Sequence, residues 1–202
     1  METIALKITN HIMDTCDVLE EDREIYLYGV DLLLFSVLNI FVLVTAGAFI
    51  GRTAETVILL SIFGFLQSVG GGFHAETHLR CFLCMLIGWA FIMWCFPLLL
   101  LYSSVSLVIA IIGLSLVFLL APVEHPNAPA SPKKQKMMLK LTRASALIII
   151  FFVLLFMILG RGFEWVCGIT ATALFASGIS MLAFTLRHRG TWTHVQKEAI
   201  HE

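Results

Sequence analysis

Of the chain's 202 residues, 59% are hydrophobic and 13% charged, and the mean hydropathy is +0.93. A soluble domain carries about 25% charged and 45–50% apolar residues, so this balance excludes a core folded in water and points to an all-α polytopic membrane protein. The formal net charge of −1 decides nothing, because in a membrane protein the placement of charge matters more than its sum.

Residues 1–30 form a polar N-terminal region. Ile4, Ile8, Ile12, Cys16 and Leu19 recur near helical spacing with acids on the other face. That pattern predicts an amphipathic helix lying on the membrane surface or against the bundle, with substrate cradling as the alternative. The stretch lacks an apolar h-region with a small-residue cleavage site, so a cleavable signal peptide is not expected. "EEDRE" at 20–24 reads as a solvated interfacial turn, or as a receptor for a basic peptide.

Six apolar segments of roughly spanning length follow, at 31–49, 53–69, 81–101, 103–121, 144–160 and 163–186. They make residues 31–186 a transmembrane bundle within a single domain covering 1–202, with 187–202 as a cytoplasmic tail. The second segment is short and carries Glu55 near its start, so a re-entrant segment is an alternative there. Pro97 is placed to kink the third. Between the fourth and fifth lies "PVEHPNAPASPKKQKMMLK", whose prolines at 122, 126, 129 and 132 argue against regular helix. The basic run after them reads as an anchor or as a contact to anionic lipid head groups.

Lys and Arg collect on the cytoplasmic side of membrane proteins. Six crossings with both termini inside put eleven of them in the cytoplasm and leave only Arg52 and Arg161 outside. The stretch "QSVGGGFHAETHLRCFLC", residues 67–84, then faces the cytoplasm.

That stretch carries the chemistry. Each glycine in a helix interior costs about 1 kcal/mol relative to alanine, so Gly70, Gly71 and Gly72 predict a break. Non-helical backbone at membrane depth survives only where protein or a water-filled cavity satisfies it. On an ideal helix His74 and Cys81 are seven steps apart, about 20° in azimuth but about 10 Å along the axis. A bond between them therefore needs the chain to fold back or the helix to start late. His78, at i−3 from Cys81, is the nearer neighbour on a helix, and spacing alone leaves the base open between the two histidines. A histidine or a helix N-terminus that stabilises the thiolate makes cysteine a nucleophile for acyl transfer. The competing chemistry is metal binding by His74, His78 and Cys81, although "HAETH" has Ala75 where the HExxH zinc helix needs glutamate. Polar groups among spans also mark transport paths, so a non-enzymatic peptide transporter is a third possibility. The other cysteines, Cys16, Cys84, Cys95 and Cys167, are scattered, and with Cys81 they make an odd total of five, so no disulfide framework is expected. There is no internal repeat and no GxxxxGK[ST] phosphate loop.

"GGFHA" with a cysteine seven residues after its histidine, "DREIYLYGVDLLL" before the first span, and "APVEHPNAP" followed by "KKQKMMLK" together resemble the AgrB (accessory gene regulator B) family of membrane cysteine endopeptidases in Gram-positive bacteria. The resemblance covers most of the chain. It implies a catalytic dyad of His74 and Cys81 acting on an AgrD-type precursor peptide held at the inner leaflet by its amphipathic leader. Cys81 would expel the acidic C-terminal tail and form an acyl-enzyme thioester, which a cysteine or serine inside the peptide would attack. The product would be a thiolactone or lactone autoinducing peptide for quorum sensing. The resemblance also implies a homodimer in the cell membrane in contact with lipid. Many members carry a basic residue where this chain has Gln67, which would then support the oxyanion or bind substrate through its amide. Gly71 and Gly72 would admit substrate backbone, and Lys133, Lys134 and Lys136 would meet the acidic tail. No cofactor and no nucleic-acid partner are expected.

Overall fold

The computed structural model describes residues 2–16, 19–73, 77–101, 103–123, 131–160 and 162–187. Among the described residues seven α-helices follow one another: α1 (Glu2–Thr15), α2 (Arg23–Phe49), α3 (Thr53–Gly70), α4 (His78–Leu101), α5 (Ser103–Leu120), α6 (Pro132–Leu159) and α7 (Glu164–Arg187). A 3-10 turn at Glu20–Asp22 precedes α2, and no strand occurs among the described residues. Helices α2, α3, α4, α6 and α7 are long and apolar enough to cross a membrane, and α5 is a shorter apolar helix. The protein is an all-helical, multi-pass membrane protein. Lipid supplies no hydrogen bonds, so a spanning backbone must satisfy itself within each helix. Hydroxyls in the spans follow the same rule: Thr45 Oγ1 donates to Phe41 O at 2.7 Å, and Thr172 Oγ1 to Gly168 O at 2.8 Å.

Two boundaries differ from the hydropathy reading. Helix α2 begins at Arg23 rather than at residue 31. Helix α6 begins at Pro132 rather than at 144, so the lysine run is helical and not loop. Ser131 caps it, accepting from Lys134 N at 3.4 Å, and Pro132 occupies the first turn. There a missing N–H costs nothing and the fixed φ is already helical. The second apolar segment is one unbroken helix, with Glu55 in its first turn.

The contacts divide the chain into two compact units, Met1–Thr53 and Ala54–Glu202. In the first, α1 packs along α2, and Arg23 Nη2 donates to Asn10 Oδ1 at 2.9 Å. Ala5 and Thr9 are the buried side chains of α1, whereas Ile4 and Ile8 of the apolar stripe are exposed.

In the second unit α7 is the core element: 61% of its span is buried, against 22% for α3, α4 and α6. It packs most extensively on α5. A Cβ on Gly113 would lie 2.6 Å from Phe175 N, and one on Gly178 2.8 Å from Leu116 Cβ and 3.0 Å from Gly113 O. Glycine on each helix thus lets the two backbones approach, as small residues do where spans associate without hydrophobic drive. Leu66, Val117, Ala146, Leu174, Met181 and Phe184 form a buried cluster. One buried polar tie joins α3 to α4, Trp89 Nε1 donating to Thr56 Oγ1 at 3.0 Å.

Candidate functional site

Helix α3 ends at the triple glycine. Gly71 N donates to Gln67 O at 3.0 Å and Val123 N to Gly70 O at 2.8 Å. Gly71 has φ +73, a left-handed conformation that glycine adopts without steric cost. A Cβ there would also collide with Val123 O, and one on Gly70 would lie 2.6 Å from Met181 Cε and 2.8 Å from Thr142 Cγ2. Beyond them, Phe73 N donates to Ser180 Oγ at 3.0 Å, and the Arg187 guanidinium stands 5.7 Å from the centre of the Phe73 ring. The hinge is therefore tied to α6, to α7 and to the segment after α5. Gly72 is buried, and the Gln67 carboxamide fills the place its Cβ would take. Both polar atoms of that carboxamide are buried without a hydrogen bond.

The helix carrying the thiol starts afresh. Thr77 Oγ1 accepts from Arg80 N at 3.3 Å, and Cys81 N donates to Thr77 O at 3.0 Å, so Thr77 caps α4 and Cys81 sits in its first turn. The positive end of the helix dipole lies at this turn. Cys81 is half-buried and not disulfide-bonded, and His78, one turn earlier, is exposed. The helix that carries the thiol starts late: α4 begins only at His78. A late start is the condition under which residue 74 need not lie 10 Å up the axis from the thiol. His74 itself, with Ala75 and Glu76, lies outside the described residues.

Lys133, Lys134 and Lys136 are exposed in the first turns of α6. At 100° per residue, Lys133, Lys136 and Lys140 fall within about 60° of one another. Cys84 is exposed and Cys167 buried, the latter directing its thiol at Val153 O, 3.7 Å away. Among the described residues no three His, Cys, Asp or Glu side chains converge as for a metal ion; the set His74, His78 and Cys81 includes a residue outside them.

Sequence reasoning missed Thr77, Val123, Ser180 and Arg187. A threonine one residue before a helix is a readable capping signal. The others come to the hinge from distant parts of the chain, Ser180 from 107 residues away, and carry no local mark. With this geometry in view, three comparisons bear on identity. A family model described as AgrB, Accessory gene regulator B, matches residues 4–186, taking in α1, the hinge, Cys81 and the lysines of α6. No curated protein and no solved structure matches the chain.

Proposed function

Because the chain belongs to the accessory gene regulator B family, a peptidase-type membrane family that acts on AgrD precursors in quorum sensing, we propose that it is the cysteine endopeptidase and cyclase of one such precursor. Cys81 attacks the carbonyl carbon at the end of the future ring, and His74 accepts the thiol proton. The C–N bond to the acidic tail breaks, and His74 returns the proton to the leaving amine. What remains is a thioester between Cys81 and the precursor. An internal cysteine or serine of the peptide then gives its proton to His74 and attacks that thioester, closing the ring and releasing the Cys81 thiolate. For an internal cysteine the exchange between thioesters is nearly level in energy, excluding water keeps hydrolysis from competing, and the tethered nucleophile supplies effective molarity.

The observation that carries this reading is Cys81 in the capped first turn of α4, directly beyond a glycine break. Gly71 and Gly72 admit the substrate backbone, Gln67 contacts it or its oxyanion, and Lys133, Lys134 and Lys136 attract the acidic tail. Charge placement supports a cytoplasmic site and cytoplasmic termini: among the described residues of Ala54–Glu202, Glu55 and Glu164 open α3 and α7, whereas Arg80, the lysines at 133–140, Arg143 and Arg187 cluster at the hinge end. A homodimer with lipid around the spans completes the proposal.

The test is trapping of the acyl-enzyme from a precursor with its internal nucleophile replaced. Wild type and His78→Ala should accumulate a hydroxylamine-sensitive adduct, and Cys81→Ala and His74→Ala should not. Loss with His78→Ala alone would move the base to His78. Inhibition by chelation but not by iodoacetamide would favour the metal alternative, and peptide export that survives Cys81→Ala would favour a transporter.

A further inference from the structure

The backbone at the hinge is well satisfied: Gly70 O, Gly71 N and Phe73 N all have partners. The side chain of Gln67 is the exception, with Nε2 and Oε1 both buried and unbonded. Among the described residues the other buried unbonded atoms are single ones, on Thr9, Asn39, Arg52 and Arg143. Gln67 alone leaves an amide donor and a carbonyl acceptor unbonded side by side, a costly arrangement in a native protein. Gly72 is what covers them, since a Cβ there would fall on Gln67 Oε1 and only glycine lets the chain lie across the carboxamide.

We propose that Gln67 is the receptor for one backbone amide of the substrate peptide, covered by Gly72 in the resting protein and exposed by a local rotation about Gly71 and Gly72. The proposal rests on the peptidase reading above and narrows the role of Gln67 within it. An oxyanion would use the Nε2 donor and leave Oε1 facing negative charge. A peptide unit offers an N–H and a C=O together and satisfies both atoms at once. The ligand is therefore an extended stretch of peptide, recognised whatever its side chains. Rotation is confined to two residues, because Gly70 is held by Val123 and Phe73 by Ser180, and glycine has the conformational freedom to turn between such anchors.

The experiment measures binding of a synthetic AgrD-type precursor to the full chain in lipid nanodiscs, with every variant in a Cys81→Ala background so that affinity is read without turnover. Gln67→Met removes both polar atoms at similar volume. We expect its thermal midpoint to rise and its affinity for the precursor to fall about tenfold. Replacing the peptide's backbone amides by esters one at a time should reveal one position that weakens binding to the Gln67 protein, and that penalty should vanish with Gln67→Met. Unchanged affinity overturns the proposal, as do ester penalties that persist undiminished. A lowered midpoint also overturns it, marking Gln67 as bonded to a structural water. Cleavage that survives Cys81→Ala would refute the nucleophile and leave this binding result intact.

Discussion

At Gly71 two demands coincide, a left-handed backbone and a carbonyl oxygen where a side chain would begin. Gly71→Ala should therefore cost more than the roughly 1–2 kcal/mol of αL strain alone, and thermal unfolding in detergent should show the loss. Gly64 and Gly88 lie inside helices with open space around the Cβ position. Alanine at either should be neutral or stabilise by up to about 1 kcal/mol. A Gly71→Ala midpoint no lower than that of Gly64→Ala would contradict the account of the hinge. The break itself was legible, because glycine's helix cost is a local property of three adjacent residues. The collision partner Val123 was not, since nothing in either stretch of sequence announces the other.

At the level of elements, α6 starts at Pro132, twelve positions before the apolar segment at 144, although prolines stand at 122, 126, 129 and 132. Only position matters: a proline after a capping serine begins a helix as readily as one in the interior ends it. The lysines consequently sit on a rigid helix, three of them along one face. Changing Lys133, Lys134 and Lys136 to Gln should raise KM for an acidic-tailed precursor about three- to tenfold, with a smaller effect at high salt. A neutral-tailed precursor should be cleaved equally well by both proteins; if the triple variant leaves KM for the acidic one untouched, the lysines serve the membrane instead. The crossing of α5 and α7 belongs to the same scale. Gly113→Ala would place a Cβ against Phe175 backbone that cannot yield as a side chain can. A loss of about 1–3 kcal/mol is expected, read as a lower thermal midpoint in detergent.

Across the whole molecule the governing quantity is where charge lies relative to the membrane. Cations gathered at the hinge end of the second unit, with its described carboxylates at the other end, predict a reactive face toward the cytoplasm. A membrane-impermeant thiol reagent should abolish precursor processing in inside-out vesicles and spare it in right-side-out ones. The opposite pattern would place Cys81 on the outer face. At 18 residues, α5 is about 27 Å long, a little short of the roughly 30 Å of a bilayer's hydrocarbon core, and the proposed sidedness requires that it cross.

Helical class, the number of apolar helices, the glycine break and the residue types that could do chemistry were all determined by the sequence itself. Each is set by a local property: transfer free energy along a span, backbone entropy at glycine, or the reactivity of a thiol. Tertiary structure decided the rest. It made α7 the core, laid α5 against it through Gly113 and Gly178, pinned the hinge on Val123 and Ser180, and buried both ends of the Gln67 carboxamide. These contacts join residues far apart in the chain, and whether a polar atom finds a partner is settled only when helices pack.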